Sequence, residues 1–227
     1  MTSSKFKLLQ TPKFRHAYLL TSLLFVIVLK PFLTDRVLGV NLIDAFLLVT
    51  LLTGAFSTIR SRREAMILTP LAVCTVVGWL ASQFSGNASV GIVFLAICSL
   101  YFSVLIFLIM RTIFQPHKHV TTDDLLGSMV VYLLLGATWA MAYNILEYSV
   151  PGAFSPDIAG DEPMNFQLYL GFSFTTLTTL GYGNIVPADP RAAALASLEA
   201  IVGQLYVAIV IARLVSLHIA NSMSSND

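Results

Sequence analysis

From Ala65 to Met110 the chain runs for 46 residues without a single Asp, Glu, Lys or Arg. As helix, that stretch would reach about 69 Å at ~1.5 Å per residue, room for two passes through a ~30 Å hydrocarbon layer. Backbone in hydrocarbon has no water to bond to, so a run of this kind folds as membrane-crossing helix. Composition extends the point to the whole chain, which is 56% hydrophobic and only 11% charged. A soluble domain carries about a quarter charged residues, so a soluble enzyme is excluded. A net charge of +1 gives no electrostatic case for nucleic acid. Cys74 and Cys98 both lie inside apolar runs and read as small buried side chains, not as a disulfide or metal site.

Six segments are long and apolar enough to cross: His16–Leu33, Val37–Ser57, Ala65–Phe84, Val90–Met110, Leu125–Leu146 and Ala192–Ala220. A seventh apolar stretch, Phe166–Thr179, holds 14 residues. That is too short to cross and suits a re-entrant helix. Basic residues set the orientation. With the N-terminus inside, ten lie at cytoplasmic ends (Lys5, Lys7, Lys13, Arg15, Arg60, Arg62, Arg63, Arg111, Lys118, Arg213) and three lie opposite (Lys30, Arg36, Arg191). This bias puts both termini in the cytoplasm.

Between the fifth and sixth segments stands PMNFQLYLGFSFTTLTTLGYGNIVP, Pro163 to Pro187. Its second half, TTLGYGNIVP (Thr178–Pro187), resembles the selectivity-filter signature of potassium-channel pore domains, with Asn184 where most members carry an acid. The resemblance covers Leu125 to Ala220; the first four segments match a six-crossing channel by topology only. It implies an all-α membrane protein with six transmembrane helices plus a re-entrant pore helix and filter, assembled as a tetramer. Residues 1–120 would form a four-helix transmembrane domain laid out like a voltage sensor without its charges. Residues 121–227 would form the pore domain. The implied activity is passive, potassium-selective conduction, with no enzymatic chemistry and no cofactor beyond potassium as permeant ligand. A non-selective cation channel and a regulatory membrane subunit are the alternatives.

The chemistry of the segment agrees with the resemblance. A potassium ion stripped of water needs replacement oxygens, and rings of backbone carbonyls supply them. Glycines at alternate positions, Gly181 and Gly183, allow the left-handed backbone that lets successive carbonyls point one way. The filter is accordingly assigned to Thr179, Leu180, Gly181, Tyr182 and Gly183, with potassium at the first four and the Thr179 hydroxyl as an added ligand. Thr178, Thr175, Asn184 and Glu199 are assigned to filter support; the family often has acids where Thr175 and Asn184 stand. One chain offers one strand while a cage needs a ring, so three further copies around a fourfold axis are expected, in the lipid bilayer of the plasma membrane. Five acids from Glu147 to Asp189 (Glu147, Asp157, Asp161, Glu162, Asp189), with no base among them, read as a cation-attracting mouth.

In the last segment, Gly203 stands where the resemblance places a glycine. Glycine costs about 1 kcal/mol against alanine inside a helix, so a bend or a close packing contact is expected. Gln204, Val207, Ile211 and Val215 share a helical face and are assigned to the inner cavity, with a hydrophobic gate at Ile211 to Val215. Glu199 lies one turn before Gly203, inside a crossing, where a carboxyl is expensive and marks function. Asp44, in the second crossing, reads as hydrogen-bonded to a neighbouring helix. His117 and His119 read as a solvated cluster, and Thr121-Thr-Asp-Asp124 as a helix cap.

Overall fold

Strong local start signals set where the helices begin. Residues 15–29, 42–59, 61–85, 87–115, 121–156 and 166–224 are described by the computed structural model. Among them are seven helices: α1 (Arg15–Leu29), α2 (Leu42–Thr58), α3 (Arg62–Ser85), α4 (Ala88–Ile113), α5 (Thr122–Ser149), α6 (Phe166–Leu177) and α7 (Pro190–Ser224). Asn87 caps α4, its side chain accepting from the Ser89 N–H at 3.0 Å. Thr121 and Asp124 cap α5 reciprocally: the Asp124 N–H donates to the Thr121 hydroxyl at 3.2 Å, and the Thr121 N–H to Asp124 at 3.0 Å. Arg15 closes the other end of α2, donating to the carbonyls of Phe56 and Ile59 at 2.6 and 2.9 Å.

The protein is a helical membrane protein. Helices α3, α4, α5 and the Pro190–Val210 part of α7 are each long and apolar enough to cross a bilayer. Helices α1 and α2, described over 15 and 17 residues, cover parts of the expected crossings His16–Leu33 and Val37–Ser57, whose remaining residues 30–33 and 37–41 lie outside the described residues. Large apolar side chains such as Met66, Ile67, Val77 and Phe107 are exposed on α3 and α4, as surfaces facing lipid tails would be. Cys98 is buried, but Cys74 is exposed on the outside of α3, because its side of that helix meets no neighbour. Asp44 is in α2, but its side chain lies outside the described residues, as do His117 and His119.

Helix α5 is the hub. On one side α4 and α1 pack along it; on the other lie α6 and α7. Tyr101, Leu105 and Ile109 of α4 meet Val130, Val131 and Leu134 of α5 in one buried cluster, which continues to Leu19 and Leu51. Both proposed halves of the chain therefore share a core. Polar contacts lock α1 onto the first turn of α5. The His16 backbone N–H donates to Asp123 Oδ1 at 2.9 Å, and its ring Nδ1 lies 2.9 Å from Asp123 Oδ2. Within the bundle, the buried Tyr101 hydroxyl donates to the Leu51 carbonyl at 2.6 Å, tying α4 to α2. Tyr101→Phe should lower stability by about 0.6–1 kcal/mol, the range for one such bond between membrane helices. Thermal unfolding of the purified protein in one detergent measures it, and an unchanged transition would discount the bond.

Candidate functional site

The short helix α6 ends where its sequence turns to threonine and glycine, and its last carbonyls receive the chain that follows. The N–H groups of Leu180 and Gly181 both donate to the Thr175 carbonyl, at 2.8 and 3.1 Å, and that of Thr179 to Thr176 at 2.9 Å. Beyond this knot the backbone has no helix or strand until β2 (Ile185–Pro187), which pairs antiparallel with β1 (Phe154–Pro156). Gly181 and Gly183 take φ of 57° and 76°, in the region where a Cβ is strained. Thr179 takes φ of 59° as well, a non-glycine residue in a conformation that costs of order 1–3 kcal/mol. The positive angles therefore fall on alternate residues. Leu180 and Tyr182 are 57% and 73% exposed in the single chain, unusual for large apolar side chains so close to a buried helix.

The surroundings hold this strand from behind. Glu199 has no exposed surface. Its carboxyl accepts from the Tyr143 hydroxyl of α5 and lies 2.5 Å from Ser173 Oγ of α6. Ser173 Oγ also lies 2.7 Å from the Gly136 carbonyl of α5. A serine hydroxyl has one proton for these two acceptors, so either it donates to the carboxylate, or a protonated carboxyl donates to it and it donates to Gly136. Tyr143 also stacks edge-on with Phe154 and Phe172 at 5.2 and 5.1 Å, in a cluster that includes Tyr169. At the lower end of α6, the Tyr132 hydroxyl donates to the Leu177 carbonyl at 3.2 Å. Gly203 is buried against that same carbonyl: a Cβ there would meet the Leu177 oxygen. Helix α7 runs through Gly203 from Pro190 to Ser224, so close packing is what the glycine provides.

The other assigned residues are placed as follows. The Thr175 hydroxyl turns back to the Phe172 carbonyl at 2.9 Å, so what Thr175 offers the strand is its own carbonyl. Thr178 likewise donates to Phe174, at 2.6 Å. Asn184 is partly exposed between the glycines and β2. Gln204 Nε2 reaches the Thr179 hydroxyl at 3.4 Å, at the base of the strand. Val207 borders an apolar groove shared with Leu20 of α1 and Met129 of α5, so one flank of it faces its own chain. Ile211 and Val215 are in α7, with side chains outside the described residues.

Two of the five acids expected at the mouth have local partners. Asp189 is paired with Arg191 at 2.9 Å, and hydrogen bonds from that residue hold its carboxyl below the usual range. Glu147 accepts from the Gly152 and Phe154 N–H groups at 2.7 and 3.1 Å. Asp157, Asp161 and Glu162, with Pro163, lie outside the described residues. Ser173, Tyr143 and Tyr132 were not picked out from sequence. A hydroxyl every helical turn or so in an apolar helix was their only signal.

A family model described as "Ion channel" matches residues 127–219, from the second turn of α5 through the strand to α7. That segment is similar to ion-channel domains. This match agrees with the resemblance to potassium-channel pore domains read from Thr178–Pro187. Over 83 residues the chain is 32% identical to the inward rectifier potassium channel Kirbac3.1 of Paramagnetospirillum magnetotacticum, covering 35% of this chain and 24% of that protein. The matched part thus spans about a quarter of that relative's length. No solved structure matches.

The pore domain's internal contacts set two expectations. In Glu199→Gln, the amide can donate to Ser173 and accept from Tyr143, so stability is retained. Glu199→Ala strands the Tyr143 hydroxyl, leaves Ser173 with only the Gly136 carbonyl, and should cost about 1–3 kcal/mol. In Gly203→Ala, the methyl group pushes the end of α6 off α7, costing about 1–3 kcal/mol. Melting temperatures of the purified variants rank the three, and a Gln variant as unstable as the Ala variant would rule out the bridging role of the carboxyl.

Proposed function

We propose that the chain forms a potassium-selective channel as a homotetramer, with α1 and α2 completing six crossings and both termini in the cytoplasm of a plasma-membrane protein. The observation that carries this reading is the strand after α6, with positive φ at Thr179, Gly181 and Gly183 in alternation. Alternating left-handed residues turn successive carbonyls to one side, and the carbonyls of Thr179, Leu180, Gly181 and Tyr182 from four copies would make the oxygen rings that replace a potassium ion's water. The exposure of Leu180 and Tyr182 supports neighbours around that strand. The relative's printed name supports potassium as the ion. Gln204, hydrogen-bonded to Thr179, stands just below the filter at the top of the inner cavity.

Potassium or thallium flux from proteoliposomes, with reversal potentials in mixed potassium and sodium, tests the reading. Selective flux supports it, and sodium permeating as readily as potassium refutes it. Gly181→Ala and Gly183→Ala should each abolish the preference, since alanine resists the left-handed angle that the carbonyl rings require. An unaltered preference in either would refute the ring geometry.

The same reading makes the channel one that is not steeply gated by voltage. Helix α4 has one basic residue, Arg111, in its last turn, and none across the membrane depth. Each charge moved through 100 mV supplies about 2.3 kcal/mol, and steep gating needs three or four in each subunit. Open probability in symmetrical potassium should rise shallowly with voltage. A limiting slope above about four elementary charges per tetramer would refute this.

A further inference from the structure

Behind the pore helix, outside the conduction path, the chain encloses a second candidate site. A cavity of about 580 Å³ lies where the ends of α3, α4, α5 and α6 meet, on the same face as the β1–β2 ribbon. Its described walls come from α3, α4, α5 and α6 of one chain. Apolar surface comes from Phe94 of α4 and Phe166 of α6, and polar groups from Asn144, Glu147 and Tyr169. Among the described residues, Glu147 is the one charged residue in the lining. Its two oxygens each accept one backbone N–H, which leaves lone pairs for a further donor.

Tyr169 points to a ligand independently. It is 1% exposed, and its hydroxyl is buried with no hydrogen-bond partner among the described residues. An orphaned buried hydroxyl costs about 1–3 kcal/mol, which an incoming polar group would relieve.

We propose that this cavity binds an organic ammonium ion carried on a small apolar body. Its N–H groups would be shared between the Glu147 carboxylate, the Tyr169 oxygen and the Asn144 carbonyl oxygen, while Phe94 and Phe166 hold the body. A carboxylate in a largely apolar wall, with no basic residue among the described lining, selects for a cation, and the three acceptors in that lining match in number the three donors of a primary amine. The same chemistry exists as a free amphipathic amine and as the aminoethyl head of a phospholipid. Occupancy would bear on conduction through Tyr169, whose ring packs on Phe154 at 5.5 Å and so reaches Tyr143 and Glu199.

The test is calorimetric titration of the full chain in phosphatidylcholine nanodiscs with phenethylamine, and with 2-phenylethanol as its uncharged counterpart. Binding is read without any flux measurement, so the site and the channel reading fail separately. Phenethylamine should bind saturably and 2-phenylethanol at least about tenfold more weakly, the loss of a charged hydrogen bond. Tyr169→Phe should weaken phenethylamine binding several-fold. Gly91→Met should abolish it, since Gly91 lines the cavity and a Cβ there meets nothing within 4 Å. Both variants should keep the parent melting temperature. Equal affinity for the two probes, or unchanged binding in both folded variants, would overturn the proposal. Phosphatidylethanolamine nanodiscs separate the sources: reduced phenethylamine affinity there assigns the site to the lipid amine, and unchanged affinity to a free one.

Discussion

A carboxyl group buried inside a membrane-spanning helix is expensive, and Glu199 is held there by hydroxyl groups from the two helices that flank it. Through that one side chain α7 is joined to α5 and to α6. The order of the strand that follows α6 depends on this junction. Thr179, Gly181 and Gly183 sit in conformations that an isolated peptide would leave, and they persist because α6, whose Thr175 carbonyl receives the strand, cannot shift. The close approach of Gly203 to the Leu177 carbonyl acts at the other end of the same short helix. Pinned at its middle by Ser173 and at its end by Leu177, α6 behaves as a fixed post.

Much of this was legible from residues alone. The long uncharged runs announced membrane helices because hydrocarbon leaves the backbone no other option. TTLGYGN announced a left-handed backbone at Gly181 and Gly183, because glycine takes positive φ without strain. Glu199 stood out as an acid in an apolar helix, and its binding to α6 through Ser173 gives that oddity a physical basis. Ser173, Tyr143 and Tyr132 did not stand out. A hydroxyl in an apolar helix is common, and only the packing of three helices shows which carbonyl or carboxyl it meets. The three-residue strands of the ribbon were illegible for a different reason, since so short a segment has no periodicity and its pairing joins residues far apart in sequence. Arg191 was counted as a base of the outer face, but its pairing with Asp189 emerged only where the loop turns into α7.

The first four helices gain meaning from how they meet α5. Helix α1 is bound to the start of α5 by His16 and Asp123, and α4 packs along its length. At the far end of α4, the Gln115 carbonyl accepts from Arg213 of α7 at 3.0 Å, while the Arg213 guanidinium sits over the Phe114 ring. The outer helices thus touch the pore domain at its outer helix and again at its inner one. A movement of α4 along its axis would be felt by α7 directly, without passing through the filter.

The β1–β2 ribbon has a consequence for how the chain assembles. By pairing Phe154–Pro156 with Ile185–Pro187, it ties off everything between Pro156 and Ile185 as a closed loop. That loop holds α6 and the irregular strand that follows it. Ordering a segment whose ends already meet forfeits less chain entropy than ordering one that hangs free, because the closure term has been met once by the ribbon. The irregular filter backbone, which has few hydrogen bonds of its own, is thereby brought into place as the contents of a drawn purse and not as a strand that must find its own anchor.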